Sequence, residues 1–193
     1  MPAAKQKPRA MPRPDRPIAL VGMMGAGKTT VGRRLATALS LPFFDADDEI
    51  EKAAGMSVAE LFTKHGEESF RRGEAKVIKR LVSGAPVVLA TGGGAVTALS
   101  TRKALKDKAL TIWIRADVAT LVKRATRRPT RPLLRQGDPH VTIARLLEER
   151  MPYYVKADIA IDSQPGAHSE TVNTIIDAIA KWHEAEQAER GAS

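Results

Sequence analysis

The sequence predicts an α/β fold in three layers, with helices on both faces of a five-stranded parallel sheet. Two observations carry this. Five short apolar runs alternate with helical periodicities, which implies a parallel sheet covered on both faces. Glycines and carboxylates then recur just after the runs, at the strand ends where an open parallel sheet gathers its ligands. At 193 residues the chain suits one domain with a full core, and no internal repeat or second domain is evident.

Ile18 to Val21 is the first buried strand, and the stretch from Thr30 to Leu39 reads as a helix with Val31, Leu35 and Leu39 on one face. Leu41 to Asp45 is a short strand ending in carboxylates. Ser57 with Glu60 forms a capping box that opens a helix toward Leu61 and Phe62. A polar helix follows from about Glu67 to Val82 and closes at Ser83 and Gly84. Pro86 to Ala90 is a buried strand that runs into Gly92, Gly93 and Gly94, and Leu110 to Arg115 is the next strand. Asp117 caps a helix running to about Arg127. Asp138 and Pro139 open another, with an N-cap side chain followed by a first-turn proline. Ala157 to Asp162 is the last strand, and Gln164-Pro165-Gly166 turns into a terminal helix ending near Gln187.

Between the first strand and its helix lies Gly22-Met-Met-Gly25-Ala26-Gly27-Lys28-Thr29, a match to G-x-x-x-x-G-K-[ST] in the strand–loop–helix setting that makes it a phosphate-binding loop. Glycines let the loop wrap a polyphosphate so that backbone N–H groups point inward. The helix N-terminus adds partial positive charge, Lys28 reaches the β- and γ-phosphates, and the Thr29 hydroxyl can ligate Mg²⁺. The motif predicts a nucleoside triphosphate ligand.

Four further features fall where the sheet converges. Asp45 and Asp47 sit two apart at the end of the second strand, a spacing that puts both carboxylates on one side of an extended backbone. Asp47, Asp48 and Glu49 ahead of Ile50 read equally well as the acidic first turn of a helix. Arg71 and Arg72 lie on a helix, where a basic pair is ordinarily a solvated face. Thr91 to Ala95 carries three glycines that permit close backbone approach to a ligand, or simply form a flexible loop. The segment from Arg124 to Arg135 combines arginines with two prolines and a composition that breaks a helix. It fits a mobile lid that brings arginine to a transferring phosphoryl group, or a solvated loop.

The net charge of +9 divides unevenly. Residues 1–17 carry Lys5, Lys7, Arg9, Arg13 and Arg16 against Asp15, and five prolines with almost no large apolar side chains. The stretch 1–16 is therefore expected to be a disordered basic tail. A basic arm can touch nucleic acid, but with no interleaved aromatics a solvated tail is the better reading. No apolar run approaches membrane-spanning length. The absence of cysteine removes disulfides, thiolate zinc sites and cysteine nucleophiles, and fits a cytoplasmic location. His65, His140, His168 and His183 have no metal-ligand spacing.

Taken together, Gly22 to Thr29, Phe44 to Asp47, Phe70 to Arg72, Thr91 to Val96, Arg131 to Leu134 and Glu149 to Tyr154 resemble shikimate kinase, over nearly everything from Pro17 to about His183. The departures are the basic N-terminal arm and a terminal extension after Trp182. The resemblance implies an NMP-kinase-like P-loop fold spanning 17–187, with a lid at about 126–138 and a short tail at 188–193. It also implies ATP- and Mg²⁺-dependent phosphorylation of the 3-hydroxyl of shikimate, on the route to chorismate and the aromatic amino acids. Carried over by motif, Asp47 would bind shikimate hydroxyls and act as the base. Arg71 and Arg150 would hold the carboxylate, and Gly92 and Gly93 would approach the ring. ATP would fall to Gly25, Ala26, Gly27, Lys28, Thr29 and Thr30, with Arg131 closing from the lid and Arg124 and Pro165 at the adenine. Mg²⁺ would be ligated by Thr29 and, through water, by Asp45. A monomer is expected, since no apolar stripe beyond the needs of a core stands out. The rival readings are another small-molecule kinase of the same fold, such as a gluconate or nucleoside-monophosphate kinase, and a non-catalytic nucleotide switch. The N-K-x-D guanine-reading motif that would mark a switch is absent, because Lys156-Ala-Asp158 lacks its asparagine.

Overall fold

The computed structural model describes residues 14–127, 137–163 and 168–191. Its centre is a five-stranded, wholly parallel sheet in the order β2-β3-β1-β4-β5, formed by β1 (Ile18–Val21), β2 (Phe43–Asp45), β3 (Val88–Ala90), β4 (Leu110–Arg115) and β5 (Ile159–Asp162). β1 lies in the middle, with Ile18 in register with Val88 on one side and Leu110 on the other. Every residue of β1 is buried, as the unbroken apolar run required.

The strands are shorter than their apolar runs for identifiable reasons. Pro42 and Pro86 have no N–H to give the ladder, so β2 and β3 begin after them. The Pro42 carbonyl still accepts from the amide of Val88 at 2.8 Å. At the start of β5, the Asp158 carboxylate takes the Thr111 amide at 2.7 Å and the Thr111 hydroxyl at 2.6 Å, so a side chain fills the ladder position there.

Helices α1 (Lys28–Leu39), α2 (Ala46–Ala54), α3 (Val58–Val82), α4 (Leu99–Lys108), α5 (Val118–Ala125), α6 (Pro139–Tyr154) and α7 (His168–Gly191) make the outer layers, with α1 packed on α7 and α3 packed on α4. Val31, Leu35 and Leu39 face the core from α1, as the periodicity required. Ser57 caps α3 through the expected reciprocal bonds with Glu60, and Asp138 caps α6 by accepting from the amide of His140. The two helices expected on either side of Gly66 form one continuous element broken at that glycine, whose φ of 74° and ψ of 169° are not helical.

Three boundaries differ from expectation. α5 stops at Ala125 with Thr126 as its cap, short of Arg127. α7 continues past Gln187 to Gly191. α4 has no counterpart in the sequence reading, because its ten residues bury only Thr101 and Leu105 and the rest is largely polar. Pro14 is buried and Arg16 reaches the last helix. It donates to the Glu186 carboxylate at 3.2 Å and sits 5.1 Å from the Trp182 ring centroid. The packed body thus takes in residues whose composition reads as tail. Among the described residues, no helix is long and apolar enough to cross a membrane.

Candidate active site

The carboxyl ends of β1, β2 and β3 open into one cavity of about 730 Å³. Its phosphate-facing wall is local in sequence. Gly25 and Gly27 hold φ of 85° and 96°, values that a residue with a Cβ rarely adopts, and Gly27 is the N-cap of α1. The loop therefore delivers its backbone directly into a helix N-terminus. Lys28 is buried, with its ammonium donating to the carbonyls of Gly22 and Met23 at 2.7 and 2.9 Å. Gly25, Gly27, Lys28, Thr29 and Thr30 line the cavity. Ala26, also expected at the nucleotide, is wholly buried and is not among the residues that line the cavity.

Two aspartates join this wall to the next. Asp45 ends β2 and is the N-cap of α2. One of its carboxylate oxygens accepts from the Asp47 amide at 3.1 Å and the other from the Thr29 hydroxyl at 2.7 Å. The spacing argument from an extended backbone is corrected here, because Asp47 lies in the first turn of a helix. The alternative reading of Asp47, Asp48 and Glu49 as first-turn acids holds, and both aspartates nevertheless line the cavity.

The Asp47 side chain is exposed, but what it faces is the cavity, and protein surrounds that cavity. Enclosure, followed by the charges of Asp45 and Glu74, pushes its carboxyl up to about 6, against the opposing pull of Lys28 and Arg71.

The other wall is assembled from α3, the glycine turn after β3, and α6. The break at Gly66 separates two helical pieces whose Phe62 and Phe70 rings pack with centroids 4.5 Å apart, and both rings line the cavity. The basic pair divides. Arg71 is largely buried and donates to Glu74 at 2.6 Å and Glu67 at 3.3 Å, whereas Arg72 is exposed and meets Glu68. The solvated-face reading thus holds for Arg72 and is wrong for Arg71. Arg150, on α6, is 3% exposed and also lines the cavity. Glu74 is fully buried, and burial pushes its carboxyl above the ordinary value while Arg71 pulls it back.

The glycine turn explains how so many charged groups fit. None of Gly92, Gly93 and Gly94 has a positive φ, so freedom of backbone conformation is not their role. A Cβ on Gly92 would stand 2.4 Å from Glu74 Oε1 and 3.2 Å from Asp47 Oδ1. One on Gly93 would stand 3.0 Å from the Met24 amide nitrogen, and one on Gly94 only 2.2 Å from Arg71 Nη2. The turn seats the side chains around it. Thr91 anchors it, with amide and hydroxyl both donating to the Leu20 carbonyl at the end of β1.

Among the predicted residues, the cavity brings together Gly25, Gly27, Lys28, Thr29, Thr30, Asp45, Asp47, Arg71, Gly92, Gly93, Arg124 and Arg150. Arg124 also donates to the Ser163 hydroxyl at 2.9 Å. Arg131 and Pro165 lie outside the described residues, as do most of the expected lid and most of the basic arm. Sequence reasoning missed Glu74 and Tyr154. Each had a signal in helical spacing, three residues after Arg71 and four after Arg150 respectively.

No cluster of three or more His, Cys, Asp and Glu that could hold a metal exists among the described residues. Thr29 and Asp45 supply two hard oxygen donors 2.7 Å apart beside the loop, a set that fits Mg²⁺, an ion that takes few protein ligands and completes its shell with phosphate and water. The arrangement can hold a polyphosphate on one wall and a small anion-bearing acceptor on the other, with a carboxylate of raised pKa at the junction.

Comparison with known proteins points the same way. The family model described as shikimate kinase matches residues 24–180. A shikimate kinase of Rhodopseudomonas palustris is 52% identical over 165 residues, 86% of this chain and 81% of the relative. The solved shikimate kinase of Acinetobacter baumannii, in complex with shikimate, is 39% identical. It superposes with a TM-score of 0.84 over 86% of this chain and 94% of that one. A gluconokinase from Sinorhizobium meliloti, at 18% identity and a TM-score of 0.60, over 91% of this chain and 99% of that one, shares the fold alone.

Proposed function

Because the chain belongs to the shikimate kinase family, we propose that it transfers the γ-phosphoryl group of ATP to the 3-hydroxyl of shikimate, giving shikimate 3-phosphate and ADP. The observation that carries the reading is the placement of Asp47, Arg71 and Arg150 around the glycine turn, in the same cavity as the phosphate-binding loop. Two arginines suit one carboxylate held in fixed planar geometry; the same fork also takes a phosphate, so the assay below includes a nucleoside monophosphate. A gluconate-like acceptor also bears a carboxylate and hydroxyls, so the assay below includes it.

Phosphoryl transfer passes through a loose transition state, so positioning and charge neutralisation supply most of the catalysis. The loop amides and Lys28 hold the β- and γ-phosphates. Arg71 and Arg150 clamp the shikimate carboxylate, and Gly92 and Gly93 let the ring approach the backbone. Asp47 accepts the 3-hydroxyl proton as the new O–P bond forms, and the bond from the γ-phosphorus to the ADP oxygen breaks. With its carboxyl near 6, Asp47 is ionised at neutral pH yet basic enough to take that proton. Thr29 directly and Asp45 through water would hold Mg²⁺, which would supply charge neutralisation at the phosphates. Arg131 would close onto the phosphates and Arg124 and Pro165 would flank the adenine, roles that rest on the family resemblance. A soluble, monomeric, cytoplasmic enzyme with no nucleic-acid partner is the accompanying reading.

A coupled ADP-release assay with shikimate, run beside quinate, gluconate and AMP, tests the proposal. Turnover on shikimate that vanishes in Lys28→Ala supports it. Turnover on gluconate or AMP in preference, or nucleotide binding with no acceptor used, overturns it.

A further inference from the structure

Tyr154 is the last residue of α6 and is 1% exposed. Its ring stacks on Trp113 of β4, with centroids 5.8 Å apart and planes 19° from parallel. Packing would account for the ring. It does not account for the hydroxyl, which donates to the Gly93 carbonyl at 2.5 Å, while the Arg150 guanidinium, one helical turn earlier, stands beside the same glycine, its Nη1 3.6 Å from where a Gly93 Cβ would sit. A phenolic oxygen has one proton to give, and here it is committed to the Gly93 carbonyl. The hydroxyl thus fixes the backbone of the turn against which the Arg150 guanidinium lies.

The peptide plane transmits the constraint. In a trans peptide, fixing the Gly93 carbonyl also fixes the Gly94 N–H in the opposite direction, and Gly94 lines the cavity beside Arg71. Burial pushes the Tyr154 hydroxyl up to about 12, so it remains a donor across the whole working range.

We infer that Tyr154 is a positioning residue for the acceptor site, holding the glycine turn beside the Arg150 guanidinium so that both meet the acceptor carboxylate in a fixed relation. The inference rests on the proposed reaction.

Tyr154→Phe keeps the stacked ring and removes only the hydroxyl. Losing a buried hydrogen bond to a binding group should raise KM for shikimate about three- to tenfold. KM for ATP should not move, and kcat should stay within about twofold. In an Arg150→Lys background the same change should have less than half its effect on KM, because the guanidinium beside which the turn is held is already gone. Unchanged KM for shikimate in Tyr154→Phe, equal rises in both Michaelis constants, or full additivity with Arg150→Lys overturns the inference while wild-type turnover leaves the proposed reaction standing. A wild-type chain that ignores shikimate takes both down.

Discussion

The two walls of the cavity are built on different principles. The phosphate wall is a single stretch from Gly22 to Thr30, and its function resides in backbone geometry, with left-handed glycines at Gly25 and Gly27 and the start of α1. The acceptor wall draws Asp47, Arg71, Glu74, Gly92 to Gly94 and Arg150 from α2, α3, the turn after β3 and α6, with Tyr154 bonded to the turn, and its function resides in charged side chains held in place by one another and by the turn. A backbone cradle binds any polyphosphate and so carries little information about the acceptor. A wall of matched charges is selective, and each member depends on its neighbours. Damage to the first wall should therefore abolish catalysis, and damage to the second should mainly raise the acceptor's KM.

The largest effect is expected at Lys28. Replacement by alanine removes the only side-chain cation of the loop, and turnover should fall by on the order of 10³-fold or more. Nucleotide-binding and turnover measurements on Lys28→Ala check this; near-normal kcat would end the loop's assigned role. Asp47 stands at the junction and comes next. Asp47→Asn should lower kcat by about 10²- to 10³-fold with a smaller change in KM. In the wild type, kcat/KM should fall as the pH drops through about 6, the value to which enclosure pushes this carboxyl. A pH–rate profile flat from 8 to about 5 would remove Asp47 as the base.

The acceptor wall gives the sharper contrast. Arg71→Lys keeps the charge and loses the planar fork, so KM for shikimate should rise about tenfold while kcat holds. Gly94→Ala should act similarly without touching the arginine, because its new Cβ falls 2.2 Å from Arg71 Nη2 and the guanidinium must leave its seat. Arg72→Lys is the internal control. Its partner Glu68 is 90% exposed, and such a pair is worth under about 1 kcal/mol in any case, so kinetics and stability should both stay put. Steady-state kinetics in which Arg72→Lys matches Arg71→Lys would break the division of the basic pair.

That same pair marks the boundary of what the sequence disclosed. All five strands were legible, because an unbroken apolar run such as Ile18 to Val21 has only one place in a soluble fold. The phosphate loop was legible because its chemistry is contiguous. The family resemblance named Asp47, Arg71 and Arg150, but unaided residue reading treated Arg71 and Arg72 alike. Only the packing of α3 turns one toward the turn and leaves the other in solvent. Glu74 looked like one more acid on a polar helix, and its burial follows from Gly92 having no side chain to displace it. Helix α4 carried too little apolar surface to announce itself. What was hidden depends on contacts between distant segments.

The smallest effect is a stability change at Asp47. Its folded pKa lies above its unfolded value of 3.8, so the protonated side chain contributes stability that is fully present below about 3.8 and is lost as the pH rises through about 6. Above that range the folded protein holds an enclosed carboxylate beside Asp45 and Glu74, and replacement by a neutral isostere relieves it. A shift of that size corresponds to about 3 kcal/mol at a sealed site. Asp47 is open to solvent within the cavity, and screening should cut the figure to roughly 1 kcal/mol. Asp47→Asn should then melt about 2–4 °C above the wild type at pH 8, with the gain disappearing near pH 4. Thermal melts at the two pH values separate the outcomes. A variant stabilised equally at both has changed packing, whereas one that gains only at pH 8 identifies the ionised Asp47 carboxylate as the structural cost.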